Sequence, residues 1–264
     1  MLKFTKMNGA GNDFVLADNR DGALHLDGAQ IARICDRHRG VGADGVLLVE
    51  PAQNGADFRM RYYNSDGGEA EMCGNGARCF ARFAGQLGGQ RDEVRFETIA
   101  GVITGRCLDG VVELEMSEPR NLRLNESLEN FILHSIDTGV PHAVLFVDNI
   151  EKVDVAKSGA LLRYHERFAP RGTNVNFVQK IDAQTIAIRT YERGVEAETL
   201  ACGTGVVASA LVFHSISGAQ SPVQVRVRGG DLLAVGFQKH GDDFFAVTLT
   251  GPAEFVFEGE IDLG

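Results

Sequence analysis

Two long apolar segments without proline dominate the hydrophobic pattern of the chain. They cover residues 77–87 and 206–216, and their length and composition predict buried helices. A Cys-Gly-x-Gly motif precedes each of them, at residues 73–76 and 202–205, so each cysteine is predicted at or just before a helix N-terminus. Unpaired N–H groups and the helix dipole favour a thiolate there and also bind carboxylates. We therefore expect two thiols that face one anionic substrate.

Shorter apolar segments predict strands around these helices. In the first half, a loop at residues 7–13 is expected to lead into a strand, and Asp27 is expected to cap a helix over residues 28–37. The strands of this half are predicted at residues 14–17, 46–49, 58–63, 94–98, 102–107 and 111–116.

The second half of the sequence repeats this order of segments. Its strands are predicted within residues 138–148, 174–178 and 185–192 before the second helix, and at 223–227, 232–237, 244–249 and 254–257 after it. A long repeat of supersecondary units indicates two similar domains. We predict an α+β fold of two pseudo-symmetric, β-barrel-like domains, each around a central helix.

The candidate domain boundary is Pro119 and the polar stretch that follows it at residues 120–125. The first domain is predicted at residues 1–120 and carries Cys73. The second is predicted at residues 121–264 and carries Cys202, with the final residues allowed to return to the first domain.

Composition narrows the class of protein. The 264 residues carry a net charge of −10, which argues against a nucleic-acid partner or an anionic membrane surface. No apolar segment approaches the roughly 20 residues of a membrane span, and the first residues do not form a signal peptide. The five cysteines include no Cys-x-x-Cys pair, which indicates thiols in a reducing compartment. We expect a cytoplasmic enzyme that holds no metal and no cofactor.

Two motifs have competing interpretations. The glycines at 40–45 match G-x-G-x-x-G, but the match follows a helix and precedes a strand, the reverse of a dinucleotide site. Cys73 and Cys202 could be buried structural thiols, but their shared setting favours catalysis. Cys35, Cys79 and Cys107 lack that setting and are interpreted as structural.

Other polar residues are candidates for substrate contacts. Glu192 and Arg193 could bind the ammonium and carboxylate groups of an amino acid, and His142 could be either a packed turn residue or a residue that tunes a thiol. Glu196 and Glu198 are interpretable as charges of a surface loop.

With these motifs in hand, the sequence resembles the diaminopimelate epimerase family over nearly its whole length. The resemblance rests on several motifs in the family's order, at residues 7–14, 63–67, 72–78, 141–142, 174–177, 192–194 and 198–205. It implies a cofactor-independent isomerase that interconverts LL- and meso-2,6-diaminopimelate in lysine biosynthesis. It also implies the two-domain fold predicted above and a homodimer.

The resemblance implies a role for each matched residue. Cys73 would be the proton donor and Cys202 the proton acceptor in the LL-to-meso direction, with His142 and Glu192 modulating the thiols. Substrate would be held by Asn12, Asn64, Gly74, Asn75, Asn174, Glu192, Arg193, Gly203 and Thr204.

Three positions depart from the family pattern. Val140 stands where many members have asparagine, Gly45 stands where some have glutamine, and the loop at residues 194–198 is one residue longer than the commonest form. The alternatives are a racemase of proline or hydroxyproline type, and, from another class, a non-catalytic amino-acid-binding protein or a thiol redox sensor.

Overall fold

The elements of secondary structure follow nearly the same order in the two halves of the chain. The first half contains β1 (Leu2–Gly9), β2 (Asn12–Asp18), α1 (Gly28–Cys35), β3 (Gly45–Pro51), β4 (Phe58–Asn64), β5 (Glu69–Ala70), α2 (Gly74–Leu87), β6 (Glu93–Thr98), β7 (Gly101–Leu108) and β8 (Val111–Glu115). The second half contains β9 (Arg120–Leu128), β10 (Phe131–Asp137), β11 (Pro141–Phe146), α3 (Val155–Arg163), β12 (Asn174–Lys180), β13 (Thr185–Glu192), β14 (Ala197–Thr199), α4 (Gly203–Ser217), β15 (Val223–Arg226), β16 (Leu232–His240), β17 (Asp243–Pro252) and β18 (Glu254–Ile261). Short 3₁₀ turns lie at Ile150–Lys152 and Glu166–Phe168.

The computed structural model describes residues 1–70 and 72–263. The chain packs as two units, of which the first comprises residues 1–114 with the described residues from 251 onward, and the second comprises residues 115–250. The domain limits at residues 120 and 121 stay a prediction. None of the helices in the described ranges combines the length and apolarity of a membrane span.

In the first unit, strands of mixed direction surround α2. β2 pairs with β1 in antiparallel and with β3 in parallel fashion, and β4 continues the sheet beside β3. β6 runs parallel to β4, and β7 and β8 follow as antiparallel neighbours. β18 returns from the end of the chain and pairs with β1. Helix α2 packs against β1, β2, β3, β6 and β7, so it lies at the centre of the unit.

The second unit repeats this pairing scheme strand for strand. β10 is antiparallel to β11, β11 is parallel to β12, and β12 is antiparallel to β13. β15 runs parallel to β13, and β16 and β17 follow it as antiparallel neighbours. β9 pairs with β10 as β18 pairs with β1. Helix α4 is surrounded by β10–β13, β15 and β16. The predicted α+β class with one central helix in each repeat is confirmed.

Burial explains the apolar residues of both central helices. In α2 the segment from Asn75 to Ala81 is buried, and the Phe80 ring lies 4.8 Å from that of Phe96 on β6. Arg78 is also fully buried, and its guanidinium donates hydrogen bonds to the carbonyl of Pro252 and the side chain of Asn75. In α4 every residue from Gly205 to Phe213 is buried. A helix that is apolar on all sides, as α4 is, is typical of a position inside a core.

The predicted loop at residues 7–13 is wrong at both ends, because residues 7–9 belong to β1 and residues 12 and 13 to β2. β1 extends to Gly9, and the tight turn to β2 is made by Ala10 and Gly11, which have φ angles of +58° and +93°. The strand was not predicted because it contains polar residues. One of them, Lys6, is buried, and its charge is compensated by an ion pair of 2.8 Å with Asp13 on β2.

The polar stretch at residues 120–125 belongs to strand β9 and is not an irregular linker. β9 has no buried residue, so it lacks the apolar alternation that marks a half-buried strand. Helix α3 and strands β5, β10 and β14 were also not predicted. The expected helix at 28–37 is confirmed as α1, with Asp27 and Gln30 forming a capping box, but it ends at Cys35.

The close contact of β1 with the start of α2 requires a residue without a side chain at position 9. A methyl group at residue 9 would lie 2.7 Å from the carbonyl oxygen of Asn75 and 2.9 Å from Cys79 Sγ, closer than either neighbour permits. We expect Gly9→Ala to lower the free energy of unfolding by about 1–3 kcal/mol, the usual cost of overpacking. Urea unfolding monitored by circular dichroism measures this difference.

Gly28→Ala is the matched control, because a methyl group there meets only backbone atoms of Gly67, the nearest at an ordinary 3.5 Å. An equal loss of stability in the two variants would contradict the packing argument.

Candidate functional site

The two cysteines of the Cys-Gly-x-Gly motifs occupy equivalent positions. Cys73 is the N-cap residue of α2 and Cys202 that of α4, both in extended backbone conformation. The carbonyl of each accepts the first hydrogen bond of its helix, at 2.7 Å from Ala77 N and 2.9 Å from Val206 N. The predicted position of each cysteine is thus confirmed. The N–H groups of the first helical turn lie beside each thiol and are available to negative charge.

Asn12 and Asn75 meet at the beginning of α2. The Asn75 side-chain amide donates to Asn12 Oδ1 at 2.7 Å, and Asn75 Oδ1 accepts a hydrogen bond from buried Arg78 at 2.8 Å. The Asn12 amide in turn donates to Asp44 Oδ2 at 2.8 Å. Both asparagines are therefore held in one orientation beside Cys73, as binding residues need to be.

A cluster of charged residues that the sequence analysis did not assign to the site supports Asn12. Asp13 and Asp44 both pair with Arg37, and Asp13 also pairs with Lys6. Burial raises the pKa of Asp13, but the hydrogen bonds from Arg37 and Lys6 outweigh it and lower the pKa to about 2. Asp13 and Asp44 both lie in motifs noted in the sequence, yet only the fold brings them together.

Asn64 lies at the end of β4, where Tyr62 OH donates to its side-chain oxygen at 2.8 Å. Its partner in the register of β3 is Gly45. A methyl group at residue 45 would lie 2.5 Å from the Tyr63 carbonyl and 2.7 Å from the Tyr62 ring. The absence of a side chain at residue 45 thus permits the close approach of Tyr62, the residue that orients Asn64.

The second motif gathers polar side chains around Cys202. Thr204 Oγ1 lies 3.6 Å from Cys202 Sγ. Glu192, at the end of β13, accepts a hydrogen bond of 2.8 Å from Thr199. It also forms a hydrogen bond with the Cys202 side chain. Burial raises the pKa of Glu192, and these two hydrogen bonds partly offset the effect. The structure therefore brings Glu192, Thr204 and Cys202 together, and it adds Thr199, which the sequence analysis did not single out.

Asn174 fixes the turn that carries Arg193. Its Oδ1 accepts a hydrogen bond of 2.8 Å from the Arg193 backbone, and its amide donates to the carbonyl of Pro141 at 3.2 Å. The half-buried Arg193 guanidinium makes one long contact, of 3.5 Å, with the carbonyl of Arg171. The arrangement presents a cation on a turn that a buried asparagine holds in place.

His142 is buried on β11, next to Asn174 in the register of the sheet. Its Nδ1 lies 3.1 Å from the side-chain amide of Asn176. Burial, and secondarily the positive charge of Arg193, lower the pKa of His142 to about 3. The ring is therefore neutral at physiological pH.

Ion pairs fix the loop between β13 and β14. Glu196, in a left-handed conformation with φ of +59°, pairs with Arg163 of α3 at 2.9 Å. Glu198 makes a bidentate pair with Arg189 on β13. The pair between Glu196 and Arg163 thus ties this loop to α3. Beside the start of α4, the Val140 carbonyl accepts a hydrogen bond from Thr138 N, and the Thr138 hydroxyl donates to the carbonyl of Thr204.

The remaining cysteines lie in settings that disfavour a thiolate. Burial raises the pKa of Cys35 to about 11 and that of Cys79 to about 12. Burial also raises the pKa of Cys107. Thiols whose pKa is raised in this way are typical of inert, structural cysteines.

The chain is similar to known proteins over nearly its full length. Residues 4–120 and 134–256 match the family model of diaminopimelate epimerase. The chain is 44% identical to the diaminopimelate epimerase of Aquifex aeolicus, with 98% of each chain covered. It is 42% identical to that of Chlorobaculum tepidum, with 97% of this chain and all of the relative covered.

Solved structures of low sequence identity share the fold. A phenazine biosynthesis protein of the PhzF family from Bacillus anthracis is 14% identical with a TM-score of 0.72, and 98% of each chain is covered. A probable proline racemase from Agrobacterium radiobacter is 19% identical with a TM-score of 0.70, covering all of this chain and 94% of the other.

The burial of His142 predicts a specific acid sensitivity. The unfolded chain binds a proton at residue 142 below a pH of about 6.5, whereas the folded chain does so only near pH 3, so acidification between these values favours unfolding. We expect the stability difference between the native protein and His142→Gln to change by about 1.4 kcal/mol per pH unit in this window, to the disadvantage of the native protein at low pH.

Urea titrations at several pH values measure this difference. His240→Gln is the control for the same substitution at an exposed histidine, on β16. A pH-independent difference for His142→Gln would contradict the assignment.

Proposed function

The chain belongs to the diaminopimelate epimerase family and is an isomerase, and from this premise we propose that it interconverts LL- and meso-2,6-diaminopimelate in lysine biosynthesis. The observation that carries the proposal is the placement of Cys73 and Cys202 at the N-termini of two buried helices. The equivalence of these settings supports a matched acid and base. The reaction is proposed to need no cofactor.

Inverting a carbon centre by proton transfer requires a base on one face of the carbon and an acid on the other. In the LL-to-meso direction, Cys202 as thiolate removes the α-proton and Cys73 as thiol supplies a proton from the opposite side. The return direction exchanges these roles. Glu192, which bonds the Cys202 side chain, modulates its ionisation, and His142 is assigned to the same task.

The carbanion formed by proton removal needs stabilisation, because no imine-forming group spreads its charge. The N–H groups at Gly74 and Asn75, and at Gly203 and Thr204, are proposed to bind the reacting carboxylate. Charge that grows on this carboxylate is stabilised by preorganised donors and by the positive helix ends. Asn75 is well suited to this role, because Asn12 and Arg78 hold its side chain.

The distal amino-acid end of the substrate is assigned to the remaining residues. Arg193 supplies a cation for the second carboxylate, and Asn174 positions the turn that bears it. Asn12 and Asn64 supply amide groups held by Asp44 and Tyr62, and Glu192 supplies an acceptor. These contacts favour an acyclic substrate with two charged ends.

A homodimer is proposed from the surface of β18. This strand pairs with β1 along one edge and exposes Phe255, Val256 and Phe257, whose exposed fractions are 40%, 56% and 48%. β9, the equivalent strand of the second unit, instead carries Arg120, Arg123, Glu126 and Glu129 at or beside its edge. Exposed apolar residues on an edge strand are a surface for pairing, whereas charges protect such an edge.

We place the enzyme in the cytoplasm, because its chemistry needs reduced thiols.

The dimer proposal predicts that Val256→Glu produces a monomer. Light scattering after size-exclusion chromatography should give about twice 28.5 kDa for the native chain and 28.5 kDa for the variant. Ile132→Glu, at an apolar residue of β10 that is 66% exposed, should remain dimeric. A native chain that is monomeric at micromolar concentration would rule the proposal out.

The proposed activity predicts that the native enzyme epimerises LL-diaminopimelate and does not turn over proline or trans-4-hydroxyproline. Cys73→Ala and Cys202→Ala should each reduce turnover by at least about 10²-fold, the low end of what a positioned acid or base contributes. Chiral chromatography of the products measures both the substrate preference and the loss.

Cys107→Ala is the matched control and should retain native turnover, because Cys107 lies on β7 in the group of structural cysteines. A preference for proline would favour a racemase instead. Near-native turnover by either single variant would contradict the assignment of both thiols.

A further inference from the structure

A buried hydrogen-bond network connects His142 to two residues without an assigned role. His142 lies on β11, Asn176 on the neighbouring β12, and Thr190 on β13, and all three are buried. The Asn176 side-chain nitrogen lies 3.1 Å from His142 Nδ1 and 3.1 Å from the carbonyl oxygen of Ala143. The Thr190 hydroxyl lies 2.9 Å from Asn176 Oδ1.

The Ala143 carbonyl determines which way the Asn176 amide faces. A carbonyl oxygen only accepts hydrogen bonds, so the amide group that approaches it must be the NH₂ group and not the oxygen. Reversing the amide would place two oxygens together and would leave the Ala143 carbonyl without this donor. The orientation of Asn176 therefore follows from the backbone, without reference to the histidine.

This orientation leaves only one hydrogen-bonding role for His142 Nδ1. The Asn176 NH₂ group can donate but cannot accept, so Nδ1 must accept and carries no proton. In a neutral imidazole the proton is then on Nε2. We propose that Asn176 is a positioning residue that holds His142 as the neutral Nε2–H tautomer, so that His142 serves the reaction as a hydrogen-bond donor and accepts no proton itself.

The other ring nitrogen of His142, Nε2, connects this tautomer to function. His142 is 99% buried, since its exposed fraction is 1%, and its Nε2 has no hydrogen-bond partner among residues 1–70 and 72–263. A buried donor without a protein acceptor is costly and is typical of a site that binds an acceptor from outside. The chemical class of that acceptor is an anion, either a substrate carboxylate or a thiolate formed in the reaction.

The network also lies next to the thiol that is proposed to act as base. A methyl group at residue 205, in the first turn of α4, would lie 2.4 Å from Asn176 Oδ1 and 3.4 Å from Cys202 Sγ. Asn176 and Cys202 therefore pack against the same glycine. The charged residue that acts on His142 is Arg193, whose positive charge disfavours an imidazolium and thus agrees with a neutral ring.

The functional part of this inference rests on the proposed epimerase reaction, whereas the tautomer does not. A neutral N–H can stabilise negative charge near Cys202 by donating to it. It cannot remove a proton from the thiol, because the lone pair of Nδ1 is occupied by Asn176 and Nε2 already carries hydrogen. His142 would then modulate the thiol by hydrogen bonding and not by exchanging a proton with it.

The tautomer can be measured on the intact chain without any assay of activity. Two-bond ¹H–¹⁵N correlation spectra of protein labelled with ¹⁵N-histidine distinguish protonated from bare ring nitrogens, and His142→Gln identifies the signal among the seven histidines. We expect His142 to show a protonated Nε2 and a bare Nδ1, unchanged between about pH 5 and 8. A proton on Nδ1, or a signal that titrates in this range, would overturn the proposal.

Asn176→Asp tests the cause of the tautomer, because a carboxylate at this position can only accept. The variant should move a proton onto His142 Nδ1, and an unchanged tautomer in folded Asn176→Asp would overturn the role of Asn176. The spectrum of the native chain decides the tautomer even if this variant does not fold.

Turnover of LL-diaminopimelate tests the role of His142 as donor. Gln can replace the Nε2–H donor but has no basic group. Leu has neither a donor nor a basic group. We expect His142→Gln to retain turnover within about tenfold of native with a native pH profile, and His142→Leu to lose about 10²-fold or more. Equal losses of turnover in the two variants would contradict a donor role. Absence of activity in the native enzyme would instead count against the proposed function, and the tautomer measurement would still stand.

Discussion

The burial of two helices controls where the chemistry of this protein can occur. Helices α2 and α4 are each enclosed by strands of their own unit, so packing on every side fixes their positions. A thiol at the N-cap of such a helix is held beside backbone N–H groups that have no partner within the helix. The apolar sequence that folds each unit is thus the same sequence that places Cys73 and Cys202.

A second layer of polar residues orients the groups around each thiol. Near Cys73, the chain of hydrogen bonds from Asp44 through Asn12 and Asn75 ends at the buried guanidinium of Arg78. Near Cys202, Thr199 holds Glu192. These hydrogen bonds link the named side chains into networks, in which the loss of one member leaves its neighbours less firmly held. Precise placement of donors before the substrate binds is what electrostatic stabilisation of a carbanion requires.

The sequence predicted the parts of the fold that depend on apolar periodicity. Both central helices, the capped helix α1 and the strands that alternate or are wholly apolar, such as β4 and β13, lie where they were expected. β1 and β9 were not found, because β1 contains a buried lysine whose ion pair is made with another strand, and β9 has no buried residue. Both features depend on pairing between distant segments, which local periodicity does not contain.

The site could be predicted as a set of residues but not as a set of contacts. The positions of Cys73 and Cys202 followed from the repeated motif alone. Asp13, Asp44, Thr199 and Asn176 were not assigned, because their partners are 14 or more residues away or lie on the far side of a turn, as in the 2.8 Å contact between Thr199 and Glu192. The role of Asn176 comes from the sheet register, which brings β11, β12 and β13 side by side.

The central claim is that one thiol removes the α-proton while the other delivers a different proton taken from solvent. The most direct test is the reaction of LL-diaminopimelate in deuterium oxide, with the α-carbons of the product followed by NMR and mass spectrometry. The account predicts that each inverted carbon carries deuterium from the first turnover. Inversion that retains the original hydrogen at that carbon would contradict it.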